Sequence, residues 1–98
     1  MGVFTTLKNI DAGFLFDKGF RKDMRNNRMF KLDFFKKVKM FDQTPQQLVA
    51  TIQYNIIDKS IMIYYYGISR APQLINNVCV EADMLLWMNE VKETCNIK

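Results

Sequence analysis

The sequence is poor in the residues on which most enzymes depend. It contains no histidine, only two serines and two cysteines, and four scattered glycines. Histidine is the commonest general acid or base and the commonest metal ligand, so its absence excludes Ser-His-Asp and Cys-His triads. Two cysteines do not complete a tetrahedral metal site, and the glycines form no phosphate-binding loop. We therefore expect a protein that is not an enzyme and has no metal or other cofactor.

The chain also lacks a long hydrophobic run. Its longest, residues 61–66 continued by Gly67 and Ile68, is less than half as long as a membrane-spanning helix. The N-terminus has neither the basic flank nor the apolar run of a secretory signal. We therefore expect a cytoplasmic, reducing environment and no membrane partner. The alternative is attachment through a myristoylated Gly2, because Met1-Gly2-x-x-x-Thr6 fits that pattern.

Apolar and aromatic residues, in contrast, are abundant. Of the 98 residues, 49% are hydrophobic and 13% are aromatic. This content excludes a disordered chain, and the length suits one domain over residues 1–98. The patterns described next predict an α+β fold, a small antiparallel sheet with a long amphipathic C-terminal helix and a short N-terminal helix.

The N-terminal part of the chain predicts a helix followed by a turn. Apolar residues recur at helical spacing over residues 3–12, which predicts a short amphipathic helix. Asp17-Lys18-Gly19 lies between aromatic residues and is a turn signal, so residues 14–20 favour a small hairpin in which Gly19 takes a positive φ. A helix that continues to Met24 is the alternative.

Alternating apolar residues predict strands in the middle of the chain. Residues 29–41 have a period of two, which favours a half-buried strand with a bulge near Lys36-Lys37. Thr44-Pro45-Gln46-Gln47 is a capping pattern that predicts a helical turn at 45–49. The turn would lead into a hairpin of residues 50–57 with 60–68. The alternative is one helix from Pro45 to Asp58.

The C-terminal third predicts a long helix that is capped by Ser69 and ends near Thr94. One stripe of this helix carries the residues expected to face the core, Leu74, Ile75, Val78, Ala82, Leu85 and Met88. The consecutive apolar residues 84–88 cover more than one helix face, so one face cannot bury them all. We therefore predict a subunit interface that contains Met84, Trp87, Met88 and Val91.

The same helix determines what we expect of the cysteines. On one continuous helix Cys79 and Cys95 are separated by about 24 Å. This distance is far too long for a disulfide within the chain. We expect two unpaired thiols, one of them in the core.

Three consecutive tyrosines, Tyr64-Tyr65-Tyr66, form another local feature. In a strand the middle ring points opposite to the other two, so at least one face presents phenol hydroxyls. We expect these rings to pack at the margin of the core.

Positive charge is concentrated in one segment. Nine basic and only two acidic residues lie between Lys18 and Lys39, a net charge of +7 in a chain whose total is +4. Such a surface attracts phosphates, and aromatic residues among the cations stack on bases. We therefore predict a nucleic-acid-binding surface made of Lys18, Arg21, Lys22, Arg25, Arg28, Lys31, Phe35, Lys36, Lys37 and Lys39. The alternative is an edge strand whose lysines discourage aggregation.

These patterns together predict a small non-enzymatic protein that binds nucleic acid as a homodimer. The alternative is a protein–protein interaction module, an inhibitor or assembly factor that acts on a host or partner protein through the C-terminal helix. Lysine outnumbers arginine, and asparagine and isoleucine are frequent. This bias is typical of AT-rich genomes, which include those of many phages, viruses and mobile elements.

Overall fold

The computed structural model describes residues 7–38 and 45–97. Segments in which buried and exposed residues alternate form an antiparallel sheet. Within these two ranges, five strands pair in chain order, each antiparallel to the next, and two helices accompany them. The predicted α+β class is confirmed. The elements are α1 (Ala12–Asp17), β1 (Arg21–Lys22), β2 (Met29–Lys37), β3 (Gln46–Asn55), β4 (Ser60–Tyr65), β5 (Gln73–Ile75) and α2 (Glu81–Thr94).

The first helix begins later than predicted. Asp11 is its N-cap, and the Asp11 carboxylate accepts a hydrogen bond from the backbone N–H of Phe14 at 2.8 Å. The helix ends at Asp17, Lys18 is its C-cap, and Gly19 follows with a φ of 97°. The positive φ of Gly19 is therefore confirmed. The hairpin predicted at 14–20 and the helix predicted to reach Met24 are wrong, because the cap at Asp11 and the glycine delimit one short helix. The predicted short N-terminal helix is confirmed, but its predicted bounds, residues 3–12, are wrong, because the described residues 7–11 precede the helix.

The two longest strands, β2 and β3, pair with a bulge. Phe34 lies opposite Ala50, whereas Phe35 lies opposite Leu48, so Val49 is an extra residue in β3. An extra residue reverses the alternation beyond it, and Leu48 therefore lies on the opposite face of the sheet from Ala50. We predicted a bulge near Lys36-Lys37, which lies in β2, so its position is corrected to Val49 in β3. Residues 39–41 of that predicted strand lie outside the described residues.

The strands β3 and β4 form a hairpin whose turn is held by one side chain. Asn55 lies opposite Ser60, and its Oδ1 accepts hydrogen bonds from the backbone N–H groups of Ile57 and Asp58, at 3.0 and 2.9 Å. The hairpin predicted here is confirmed. The helical turn at 45–49 and the alternative long helix are wrong, because pairing with β2 extends β3 back to Gln46.

The C-terminal helix begins at Glu81 and not near Ser69. Residues 73–75 instead form β5, which pairs with residues 61–63 of β4 at the edge of the sheet. The predicted helix is therefore wrong at Leu74, Ile75 and Val78, which precede it, although Val78 is buried in the core as expected. The N-cap, Val80, makes no side-chain capping hydrogen bond, whereas the predicted end at Thr94 is confirmed.

One hydrophobic core joins a single face of the sheet to both helices. We call this the inner face, and its buried residues are Phe30, Phe34, Ala50, Ile52, Tyr54, Ile61 and Ile63. Leu15 of α1 and Met84 and Val91 of α2 belong to the same cluster. Inside it, the Tyr54 hydroxyl donates a hydrogen bond to the carbonyl of Val78 at 2.7 Å. Burial raises the pKa of this phenol to about 12.

The residues predicted to form a subunit interface lie mainly inside the protein. Met84 and Val91 are fully buried, and Trp87 and Met88 pack partly against the core. The predicted interface is therefore wrong for Met84 and Val91, because α2 turns this stripe toward the sheet. The most exposed large apolar residue of α2 is Leu86, which is 59% accessible.

Both cysteines are free thiols, as predicted. Cys79 precedes α2, and Cys95 is its C-cap and lies in the core. Their predicted position on one helix is therefore wrong, although the expectation of one buried thiol is confirmed.

Candidate nucleic-acid interface

The outer face of the sheet, opposite the core, carries most of the chemistry in this fold. Its side chains form three rows across the strands, set by the register of each pair. The first row contains Arg21, Lys31, Gln53, Met62 and Leu74, the second Asp33, Thr51 and Tyr64, and the third Phe35, Leu48 and Tyr66. Among the described residues both helices pack on the inner face, so this face stays open to contact.

The middle of the outer face is a shallow groove of about 350 Å³. Its walls combine cations, hydrogen-bonding groups and phenol rings. The lining residues are Arg21, Lys31, Asp33, Leu48, Thr51, Gln53, Tyr64 and Tyr66. Beside it, 47% of Phe35 and 41% of Tyr66 are exposed, which leaves two rings available to a flat ligand.

A chain of hydrogen bonds fixes the side chains in this groove. Arg21 donates from Nη2 to Oδ2 of Asp33 at 2.7 Å, and Thr51 donates to Oδ1 of the same carboxylate at 2.9 Å. The Tyr66 hydroxyl in turn donates to Oγ1 of Thr51 at 3.3 Å. The exposed ring of Tyr66 is therefore held at its hydroxyl end before any ligand arrives.

The two acids of the basic segment are both engaged by cations of the first row. Besides the Arg21–Asp33 pair, Lys31 Nζ lies 3.4 Å from Oδ2 of Asp23. The backbone N–H of Arg25 donates to Asp23 at 2.8 Å and is the main cause of the lowered pKa of this carboxyl, to which Lys31 also contributes. Each acid thus offsets one cation of the segment locally.

Five predicted cations make no ion pair with any residue in the ranges 7–38 and 45–97. They lie at the two ends of β2, roughly 26 Å apart. Lys22, Arg25 and Arg28 lie on β1 or in the loop before β2, and Lys36 and Lys37 lie at its far end. Lys37 shares the outer face with Phe35, whereas Lys36 points to the other side of β2.

Lys18, another of the predicted cations, lies apart from this arrangement. Lys18 is at the end of α1, 3.8 Å from the Asp17 carboxylate and 5.9 Å from the centroid of the Phe14 ring. Lys39 lies outside the described residues. The basic segment is therefore divided into a central outer-face set, two flanking clusters and a separate lysine on the helix.

Lys36 lies at the end of the sheet that is near Cys95, and both residues line one cavity. Two adjoining cavities of about 460 and 430 Å³ share Lys36 and Lys37 as lining residues, and the second also contacts Cys95. Burial raises the pKa of the Cys95 thiol, and the charges of Lys36 and Arg70 partly oppose that effect. This thiol is therefore protonated and held in the core.

No family model, curated protein or solved structure matches this chain. Its function is therefore inferred from the geometry of the site. The described residues contain no group of three or more potential metal-ligating side chains, and none of their helices is long and apolar enough to cross a membrane.

The groove contains two aromatic residues that were not among the predicted site residues, Tyr64 and Tyr66. The triple tyrosine was the available signal, since it placed these two rings on one face of a strand. Packing at the core margin holds for Tyr65, which lies against the core with the Arg70 guanidinium 5.3 Å from its ring centroid. Tyr64 and Tyr66 line the groove instead.

Proposed function

We propose that this protein is a non-enzymatic nucleic-acid-binding protein whose basic residues contact phosphates from the outer face and its two flanking clusters. One observation supports this most directly. Five cations that lack ion-pair partners among the described residues flank an open sheet face with exposed aromatic rings. A polyanion gains affinity at such a surface because binding releases its condensed counterions.

The experiment that tests this proposal measures affinity against salt. A labelled oligonucleotide is titrated by fluorescence anisotropy between 50 and 200 mM salt, a range over which phosphate-dependent binding weakens steeply. Two variants each remove two cations, Lys22→Gln with Arg25→Gln and Lys31→Gln with Lys37→Gln. Each pair should weaken binding and flatten the slope of log affinity against log salt by about 0.7 to 0.9 per lost phosphate contact.

A matched control carries the same loss of charge on the helical side of the protein. Lys8→Gln with Lys92→Gln also removes two cations, one before α1 and one in the last turn of α2. Binding of this variant should follow the wild-type salt slope. Equal losses in the control and in the outer-face variants would show that only net charge matters, and absence of binding at 50 mM salt would overturn the proposal.

We also propose that the protein is an intracellular homodimer, with α2 at the interface. The observation that favours this is Leu86, a large apolar side chain exposed on the side of α2 that faces away from the sheet. Light scattering should give the mass of a dimer for the wild type and of a monomer for Leu86→Glu. The alternative function, a protein–protein module acting through α2, predicts a monomer that binds a different protein with this surface. A wild-type monomer would overturn the homodimer.

A further inference from the structure

We propose that the outer face binds a single strand of nucleic acid, whose bases stack on Tyr64, Tyr66 and Phe35. This inference rests on the proposed nucleic-acid binding and specifies its ligand. The site is the groove and the Phe35 ring beside it, on the face of the sheet that the helices do not cover.

The shape of the face excludes insertion into a duplex. The major groove of B-DNA is about 12 Å wide and admits one helix or a two-stranded ribbon. Five strands at about 4.8 Å spacing make a sheet roughly 19 Å across. Such a surface rests against the outside of a duplex, where stacked and paired bases offer no free face to an aromatic ring. A single strand turns its bases toward the sheet.

The spacing of the aromatic rings suits successive bases. Tyr64 and Tyr66 are two residues apart along one strand direction, so their rings lie on the same face about 6.5 Å apart along the chain. Phe35 lies across the sheet in the same row as Tyr66. Since the hydroxyl of Tyr66 is already bound to Thr51, little side-chain freedom is lost when a base stacks on its ring.

The charges indicate where the backbone of the strand runs. Asp33 lies in the middle row, so a phosphate directly above it is disfavoured. Arg21 and Lys31 lie on one side of this carboxylate and Lys37 on the other, at the rim of the face. Phosphates therefore follow the rim, and bases lie over the groove, where the amide of Gln53 is available to hydrogen-bond to base edges.

The same charges favour nucleic acid over a second copy of this chain as the occupant. Two copies that meet through their outer faces bring the cations of both rims together, and like charges across an interface disfavour binding. The negative charge of a polyanion is complementary to the cations of the rim, and the flat face of a base is complementary to the aromatic rings. The single strand is therefore the ligand that satisfies both features.

The test compares one oligonucleotide as a single strand and as a duplex, in variants that change rings but not charge. Phe35→Leu and Tyr64→Leu each remove one ring, and each should weaken single-strand binding by about five- to a hundredfold. Their salt slope should equal that of the wild type, because no cation is lost. Tyr66→Phe is compared with Tyr66→Leu, since it keeps the ring and loses only the hydrogen bond to Thr51; it should bind more weakly than the wild type and more tightly than Tyr66→Leu.

The possible results separate this inference from the proposed function. Tighter binding of the single strand, with losses in the Leu variants and a smaller loss in Tyr66→Phe than in Tyr66→Leu, supports it. Equal or tighter binding of the duplex, or folded Leu variants that bind like the wild type, overturns it and leaves the proposed function intact. Failure of the wild type to bind either form overturns both. A dimer that dissociates in Phe35→Lys would show that a second copy occupies the face.

Discussion

Neighbouring residues of β4 have opposite surroundings. Ile61 and Ile63 are fully buried, whereas Met62 and Tyr64 are only partly covered. The same contrast runs through β2 and β3, so that one sheet presents a buried apolar face and an open face on which aromatic rings lie beside charged groups. Since both faces use the same strands, the difference arises from the helices that pack against only one of them.

This difference assigns separate roles to adjacent residues. Inner-face side chains stabilise the fold through the apolar area that they remove from water. Outer-face side chains contribute less to stability, which allows rings and charges to be available for binding. Substitutions on the two faces should therefore separate stability from affinity.

The largest expected effect is the loss of a buried inner-face side chain. Ile52→Ala removes three carbon atoms from a site that is fully buried, and it should lower the free energy of unfolding by about 3 kcal/mol. Leu48→Ala removes the same number of atoms from the outer face of the same strand and should cost less than about 1 kcal/mol. Urea unfolding measures both values.

Equal losses in this pair would contradict the assignment of the two faces. If Ile52→Ala does not fold, Ile52→Val keeps the comparison, with an expected loss of about 1 kcal/mol.

An intermediate effect is expected at the buried phenol. Tyr54→Phe leaves the Val78 carbonyl without its partner and should cost about 1 to 2 kcal/mol near pH 8. The pKa of Tyr54 is raised to about 12, whereas an unfolded tyrosine has a pKa near 10. The wild type therefore loses stability as pH rises from about 10 to 12, because only its unfolded state releases the proton.

The advantage of the wild type over Tyr54→Phe should accordingly narrow between pH 8 and pH 11, as measured by denaturant unfolding at the two values. Tyr64→Phe, on the outer face, is the control and should change stability little at pH 8. A wild-type advantage that is constant or increases with pH would contradict burial of an un-ionised Tyr54.

The smallest expected effect on stability is at the centre of the outer face. Asp33→Asn weakens the contacts with Arg21 and Thr51 and should cost less than about 1 kcal/mol. It should also tighten nucleic-acid binding a few-fold at low salt, because a negative charge leaves the site. Asp17→Asn, on α1, is the matched control with the same change in charge. Weaker binding by Asp33→Asn would show that its carboxylate contacts the ligand directly.

The strands were predictable where burial on one face imposed a period of two. Phe30 and Phe34 indicated the buried face of β2, and the run before Asp58 indicated the hairpin. The start of α2 was not predictable, because Val80 supplies no side-chain cap. Ser69 and Pro72 are residue types that are typical of a helix start, and they led the prediction to the wrong position. Residues 73–75 form a strand only because β4 offers an edge, a long-range partner that local pattern does not reveal.

The sequence allowed the cations of the candidate site to be predicted, but only some of its aromatic residues. The concentration of charge between Lys18 and Lys39 is visible in the sequence. The sequence also showed that Tyr64 and Tyr66 share a face, but which face stays open depends on where α1 and α2 dock. The pairs Arg21–Asp33 and Lys31–Asp23 likewise depend on how the chain folds, so the local neutralisation of these two cations was not foreseen.

The bulge at Val49 makes one position of β3 unusually tolerant of deletion during evolution. Losing the Val49 codon removes only the extra residue opposite Phe34 and Phe35. Ala50 would still lie opposite Phe34 and Leu48 opposite Phe35, so the alternation would become continuous with Leu48 still on the outer face. A mutation of three nucleotides at this codon would thus straighten the strand and leave the groove lined by the same side chains.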